Sequence, residues 1–164
     1  MKVQEICTRA VKCCSRETSA AEAADLMWEA DCGILPVVDE AGRVVGVVTD
    51  RDICMALALT RQSAAELPIR SLLPQILHTC RLSDEVRDSL RTMRIHRVRR
   101  LPVVDGAGIL KGMLSLSDLA RAARPEALAD PTDLTDEDIA LALKTICSRK
   151  PAESPVPAPQ TTLL

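Results

Sequence analysis

The chain repeats itself at one fixed spacing. Pro36 and Pro102 stand 66 positions apart. The same offset, without a gap, lays Met27 on Met93, Leu35 on Leu101 and Val37-Val38-Asp39 on Val103-Val104-Asp105. It also lays Ala41-Gly42 on Ala107-Gly108, Gly46 on Gly112 and Asp52 on Asp118. Thr49 falls on Ser115, a hydroxyl on a hydroxyl. A constant internal period means that one supersecondary unit is used twice.

Each copy has the same layout. SAAEAADLMWEA (residues 19–30) has helical composition, with Ser19 as N-cap and Glu22 three residues on. ILPVVD is a β-branched run, EAG a turn and RVVGVVT a second strand, so the two strands read as a hairpin. DRDICMALAL then reads as a helix. In the second copy SDEVRDSLRTMRI is the helix, with Ser83 as its cap; LPVVD and ILKGMLS form the hairpin and LSDLARAA the closing helix. An extended lead-in precedes each unit (residues 10–14 and 76–80). A three-stranded sheet of this size has one bare face, and two units can cover each other's. The organisation is therefore repeat 1 (1–65), repeat 2 (66–124), a loop and C-terminal helix (125–150) capped by Thr135 and Asp138, and a proline-rich, disordered tail (151–164). The fold class is α/β (α+β): two β-α-β-β-α units packed sheet to sheet as a pseudo-twofold pair, plus a C-terminal helix.

Composition narrows the function. Of 164 residues 47% are hydrophobic but only 1% aromatic, so the core is aliphatic and there are no rings for stacking single-stranded nucleic acid. A net charge of -2 supplies no basic field for nucleic acid or acidic membranes. No run reaches the roughly eighteen apolar residues of a membrane span, and the N-terminus lacks a signal-peptide core; a cytoplasmic protein is expected. The seven cysteines form no CxxC pair, which points to reduced, mostly buried thiols. The vicinal Cys13-Cys14 is the redox candidate, His78 with Cys80 falls short of a metal site, and Trp28 reads as a partly buried packing residue.

GVVTDRD (46–52) and GMLSLSD (112–118) carry the central question. Thr49-x-x-Asp52 and Ser115-x-x-Asp118 match a helix capping box, which stabilises a helix by roughly 0.5–2 kcal/mol. A helix N-terminus also favours phosphate, and an acid one turn in can accept from ribose hydroxyls.

With GILPVVDEAGRVVGVVTDRDI and RRLPVVDGAGILKGMLSLSDL, the units resemble the cystathionine-β-synthase (CBS) domain, and the tandem resembles a Bateman module. The resemblance covers about residues 1–123. It implies paired sheets with two clefts for adenosyl compounds: AMP, ADP, ATP, NAD or S-adenosylmethionine. It assigns Thr49 and Asp52 to one cleft and Ser115 and Asp118 to the other. The adenine walls would be Ala10, Val11 and Ile34 in one copy, and Ile76, Leu77 and Arg100 in the other. In the second copy Arg99-Arg100 replaces Gly33-Ile34. Arg99, Arg100 and, at the first cleft, Arg51 suit phosphate because guanidinium binds it bidentately. The family also implies a homodimer through the helices and a regulated partner whose identity the residues do not encode. No nucleophile–base pair, catalytic carboxylate pair or metal cluster is legible, so the reading is a non-catalytic, ligand-sensing module without a required cofactor. The alternatives are a dimerisation module with empty clefts and a redox- or metal-responsive protein.

Overall fold

The computed structural model describes residues 1–73, 76–130 and 133–148. Repeat 1 runs β1 (Cys14–Ser15), α2 (Ala20–Glu29), β2 (Ile34–Val38), β3 (Val44–Thr49) and α3 (Asp50–Thr60), behind a one-turn helix α1 (Val3–Ile6). Repeat 2 runs β4 (Cys80–Arg81), α4 (Val86–His96), β5 (Arg100–Val104), β6 (Leu110–Ser115) and α5 (Leu116–Ala122), and α6 (Asp136–Cys147) follows. Each repeat holds a three-stranded sheet, ordered β1-β2-β3 or β4-β5-β6. The short lead-in strand pairs parallel and the hairpin antiparallel.

The repeated turn has a local cause. Asp39 Oδ1 accepts from the N–H groups of Ala41 and Arg43 at 3.0 and 2.8 Å. Asp105 Oδ1 accepts from Ala107 and Ile109 at 2.9 and 3.0 Å. Gly42 and Gly108 hold φ of +76° and +82°, where a side chain is strained. The turns also meet across the repeats: Val44 N–H donates to Gly108 and Leu110 N–H to Gly42, both at 3.0 Å.

Each sheet buries one face under its own helices. Leu35, Val37 and Val48 pack with Ala23, Met27 and Ile53 in repeat 1. Leu101, Val103 and Leu114 pack with Leu90, Met93 and Leu119 in repeat 2. The segment before each lead-in crosses to the other repeat. Val3 is fully buried in the repeat 2 core, while Leu67 and Ile69 are buried in the repeat 1 core. The isolated bridges Lys2↔Glu85 and Ser19↔Pro68 are equivalent under the repeat. The two sequence copies therefore fold as one interlocked object.

Three expectations need correction. Ser83 does not cap α4: its N-cap is Glu85, and the chain's first residue supplies the acceptor, Val86 N–H donating to Met1 O at 3.1 Å. The Glu85 carboxylate is held by Lys2 and the N-terminal ammonium, which keep it below the usual carboxylate range. Trp28 is 88% exposed. The thiols are not mostly buried, since Cys13, Cys54 and Cys147 are exposed and only Cys14 and Cys80 are buried. The expected C-terminal helix forms on its Thr135–Asp138 capping box. The proline-rich tail lies outside the described residues.

Candidate functional site

Both copies of the opening motif are capping boxes. Thr49 Oγ1 accepts from Asp52 N–H at 3.2 Å and donates to Asp52 Oδ2 at 2.6 Å. Ser115 and Asp118 repeat this at 3.1 and 2.6 Å. Their surroundings differ. Asp52 is exposed. Asp118 is 6% exposed and its side chain lines a cleft of about 410 Å³ between the repeats.

That cleft draws on both copies. Ala10, Val11 and Lys12 come from the lead-in of repeat 1, and Ile34 and Pro36 from β2. Arg100, Met113, Ser115 and Asp118 come from repeat 2. The sequence grouped Ala10, Val11 and Ile34 with the Thr49–Asp52 motif of their own repeat; the structure sets them opposite Ser115 and Asp118. The cause is at the edge of β6. Thr8 N–H donates to Met113 O at 3.0 Å and Met113 N–H to Thr8 O at 2.9 Å, tying the lead-in of repeat 1 to the sheet of repeat 2. Gly112 permits this approach, since a Cβ there would stand 2.4 Å from Thr8 O.

The remaining expected residues lie elsewhere. Arg99 donates to Cys147 Sγ at 3.6 Å and borders the space between α5 and α6. Ile76 is 69% exposed, and Thr49, Arg51, Asp52 and Leu77 do not line this cleft. Lys12, Pro36 and Met113 line it without having been read from the sequence. The offset that maps Ser115 to Thr49 also maps Met113 to Val47, so this part of the wall was available from the repeat.

The cleft has one apolar wall and one polar end. Ala10, Val11, Ile34, Pro36 and Met113 supply a slot of ordinary ligand-pocket size. Asp118 Oδ2 already accepts from Ser115 N–H and Oγ, and Oδ1 pairs with Arg121. A carboxylate has about four acceptor sites, so capacity for one further donor remains. Arg100 has no ion-pair partner among the described residues, whereas Lys12 pairs with Glu29 at 3.5 Å. The arrangement offers an apolar plane, an acceptor for a hydroxyl and a cation for an anionic group.

Among the described residues, redox and metal chemistry have no site comparable to this cleft. Burial, followed by the neighbouring Cys13, pushes the Cys14 thiol up to about 11. Burial pushes Cys80 up to about 12. Both are poor thiolates at neutral pH. His78 stacks on His96 with centroids 3.6 Å apart rather than joining Cys80. Among the described residues no group of three or more His, Cys, Asp or Glu could hold a metal.

Two interlocked β-α-β-β-α units with a ligand-sized cleft between them define a tandem-repeat α/β module. The CBS-domain family model matches residues 3–59 and 66–125, and the chain belongs to that family as a CBS-domain pair. An uncharacterized 17.7 kDa protein of Acidianus ambivalens is 35% identical over 121 residues, 74% of this chain and 72% of that one. Hypoxic Response Protein I with two coordinated zinc ions superposes with a TM-score of 0.70 at 26% identity, over 76% of this chain and 100% of that one. The CBS domain pair of MJ0100, in complex with 5'-methylthioadenosine and S-adenosyl-L-methionine, has a TM-score of 0.67 at 26% identity, over 74% and 94% of the two chains. CBSX2 in complex with AMP has a TM-score of 0.64 at 27% identity, again over 74% and 94%. Among the described residues no helix is long and apolar enough to cross a membrane.

Proposed function

We propose that this protein is a non-catalytic regulatory module that binds an adenine nucleotide or adenosyl compound between its repeats. One observation carries the reading: Ala10, Val11 and Ile34 of one repeat and Arg100, Ser115 and Asp118 of the other share a single cleft. The base lies on the aliphatic wall, a ribose hydroxyl donates to Asp118, and Arg100 meets the phosphate or carboxylate. The adenosyl ligands of two structural neighbours support this class of ligand. A ligand touching both repeats responds to their relative placement. Regulation follows if it favours one placement, because equal affinity for two states switches nothing.

The test is thermal denaturation with AMP, ADP, ATP, NAD and S-adenosylmethionine. A ligand at 100 times its Kd adds about 2.7 kcal/mol of stability. Asp118→Ala also removes a cap, so the quantity read is the ligand-induced increment within each variant. The increment is expected to vanish in Asp118→Ala, shrink in Arg100→Ala and persist in Asp52→Ala. A panel without any increment sinks the reading. The second reading, a homodimeric assembly module with empty clefts, draws on the exposure of Trp28 (88%), Leu59 (77%) and Ile95 (62%). It predicts no increment and a concentration-dependent sedimentation coefficient.

A further inference from the structure

The cleft between the repeats does not end at its polar rim. Arg100 and Ser115 are register partners on β5 and β6, so their side chains share one face of the hairpin. Both line the cleft, and both also line a second cavity of about 480 Å³. The pair is therefore a neck between two ligand-sized spaces. The backbone beside the neck is fixed, since Leu116 N–H donates to Arg99 O at 2.8 Å.

The second cavity belongs to this chain rather than to the repeat. Its far wall is Ile139 and Leu143 of α6, a helix beyond the residues that match the CBS model. Ala120 of α5 extends the same apolar wall. Arg99 supplies a second cation there; it donates to Cys147 Sγ at 3.6 Å and, like Arg100, has no ion-pair partner among the described residues. Among the described residues no carboxylate lines this cavity. The offset of 66 carries Arg99, Arg100 and Leu116 onto Gly33, Ile34 and Asp50. Repeat 1 thus places a carboxylate, and no cation of its own, at the equivalent position, and among the described residues no counterpart of α6 follows α3.

We propose that the two cavities hold the two halves of one dinucleotide, an adenosine and a second nucleoside joined by a pyrophosphate that crosses at Arg100 and Ser115. This rests on the proposed binding of an adenosyl compound between the repeats. The adenosine lies against Ala10, Val11 and Ile34. The pyrophosphate meets Arg100 in the neck and Arg99 on the far side, and each guanidinium can hold two phosphate oxygens at once. Ala120, Ile139 and Leu143 then receive the second ring. A mononucleotide fills one cavity and leaves this aliphatic wall in water. A longer phosphate chain reaches Arg99 but sets charged oxygens against that wall, which a ring covers without the cost of desolvating a charge. The C-terminal helix thereby sets the class of ligand.

Isothermal titration calorimetry of the full chain with AMP, ATP and NAD tests this. NAD is expected to bind on the order of tenfold more tightly than either mononucleotide, the worth of one good contact. Leu143→Trp, at a side chain 44% exposed, fills the second cavity and is expected to abolish the preference for NAD over AMP. Arg99→Ala is expected to weaken the same preference. Leu141→Trp, equally exposed on α6 but outside the cavity, is expected to keep it. Equal affinity for AMP and NAD overturns the proposal and leaves the adenosyl reading standing. ATP binding at least as tightly as NAD also overturns it, by giving the cavity to phosphates. So does a Leu143→Trp protein that retains the NAD preference. Failure of all three compounds to bind overturns it together with the nucleotide form of the adenosyl reading.

Discussion

Replacing Gly112 with alanine is expected to destabilise the protein by about 2–4 kcal/mol. The new Cβ would sit 2.4 Å from Thr8 O and 3.3 Å from Thr8 C, and both are backbone atoms that no rotamer change can move. The lead-in must leave β6, breaking the hydrogen bonds between Thr8 and Met113 at 2.9 and 3.0 Å. Each is worth about 0.5–1.5 kcal/mol, and the strain adds about 1–3 kcal/mol if the chain only partly withdraws. Gly46, its equivalent, is the control. A Cβ there would meet Leu73 Cδ2 at 2.8 Å, the far end of a flexible side chain, so Gly46→Ala should cost less than about 1 kcal/mol. For a chain of this size the Gly112 variant should melt roughly 4–16 °C lower. It should also lose ligand affinity, because Thr8, Ala10, Val11 and Lys12 line one side of the cleft. Thermal and urea denaturation of both variants, followed by ligand titration, test this. Equal stability of the two variants, or a Gly112→Ala protein that binds as wild type does, would refute the reasoning.

Two further outcomes follow from the thiols and from one turn carboxylate. With a thiol-reactive disulfide at pH 8, exposed Cys13, Cys54 and Cys147 should react quickly, while Cys14 and Cys80 should react only after denaturation; rapid native-state labelling of Cys80 would contradict its burial. Hydrogen bonding from the Ile109 N–H, then the Lys111 side chain at 3.2 Å and the Ala107 N–H, hold the Asp105 carboxyl below its ordinary value despite some desolvation. A depressed folded-state pKa contributes stability above the unfolded pKa, lost as pH falls through the folded one. Asp105→Asn should therefore flatten the acid limb of the stability curve measured by urea midpoints, and an unchanged limb would discount that contribution.

Much of the architecture was legible because its determinants are local. The Asp39 and Asp105 turns, the capping boxes at Ser19, Thr49, Ser115 and Thr135, and the β-branched runs each act within about five residues. The repeat then doubled every such signal. The cap at Ser83 failed because the acceptor for Val86 N–H is the carbonyl of Met1, far away in sequence. Trp28 was misplaced because a helix pattern does not say whether another element covers that face. Its equivalent Arg94 lies in the space beside α6, whereas nothing described lies over Trp28.

By itself the sequence determined the unit, its duplication, its family and the residue types available to a ligand. Tertiary structure alone decided which of those residues meet. The pairing of Ala10, Val11 and Ile34 with Ser115 and Asp118 depends on backbone hydrogen bonds from Thr8 to the edge of β6, and backbone groups are the same in every residue. Side-chain pattern cannot encode such a partner directly. Only the close approach that Gly112 allows marks the place, and its equivalent Gly46 faces a leucine side chain instead.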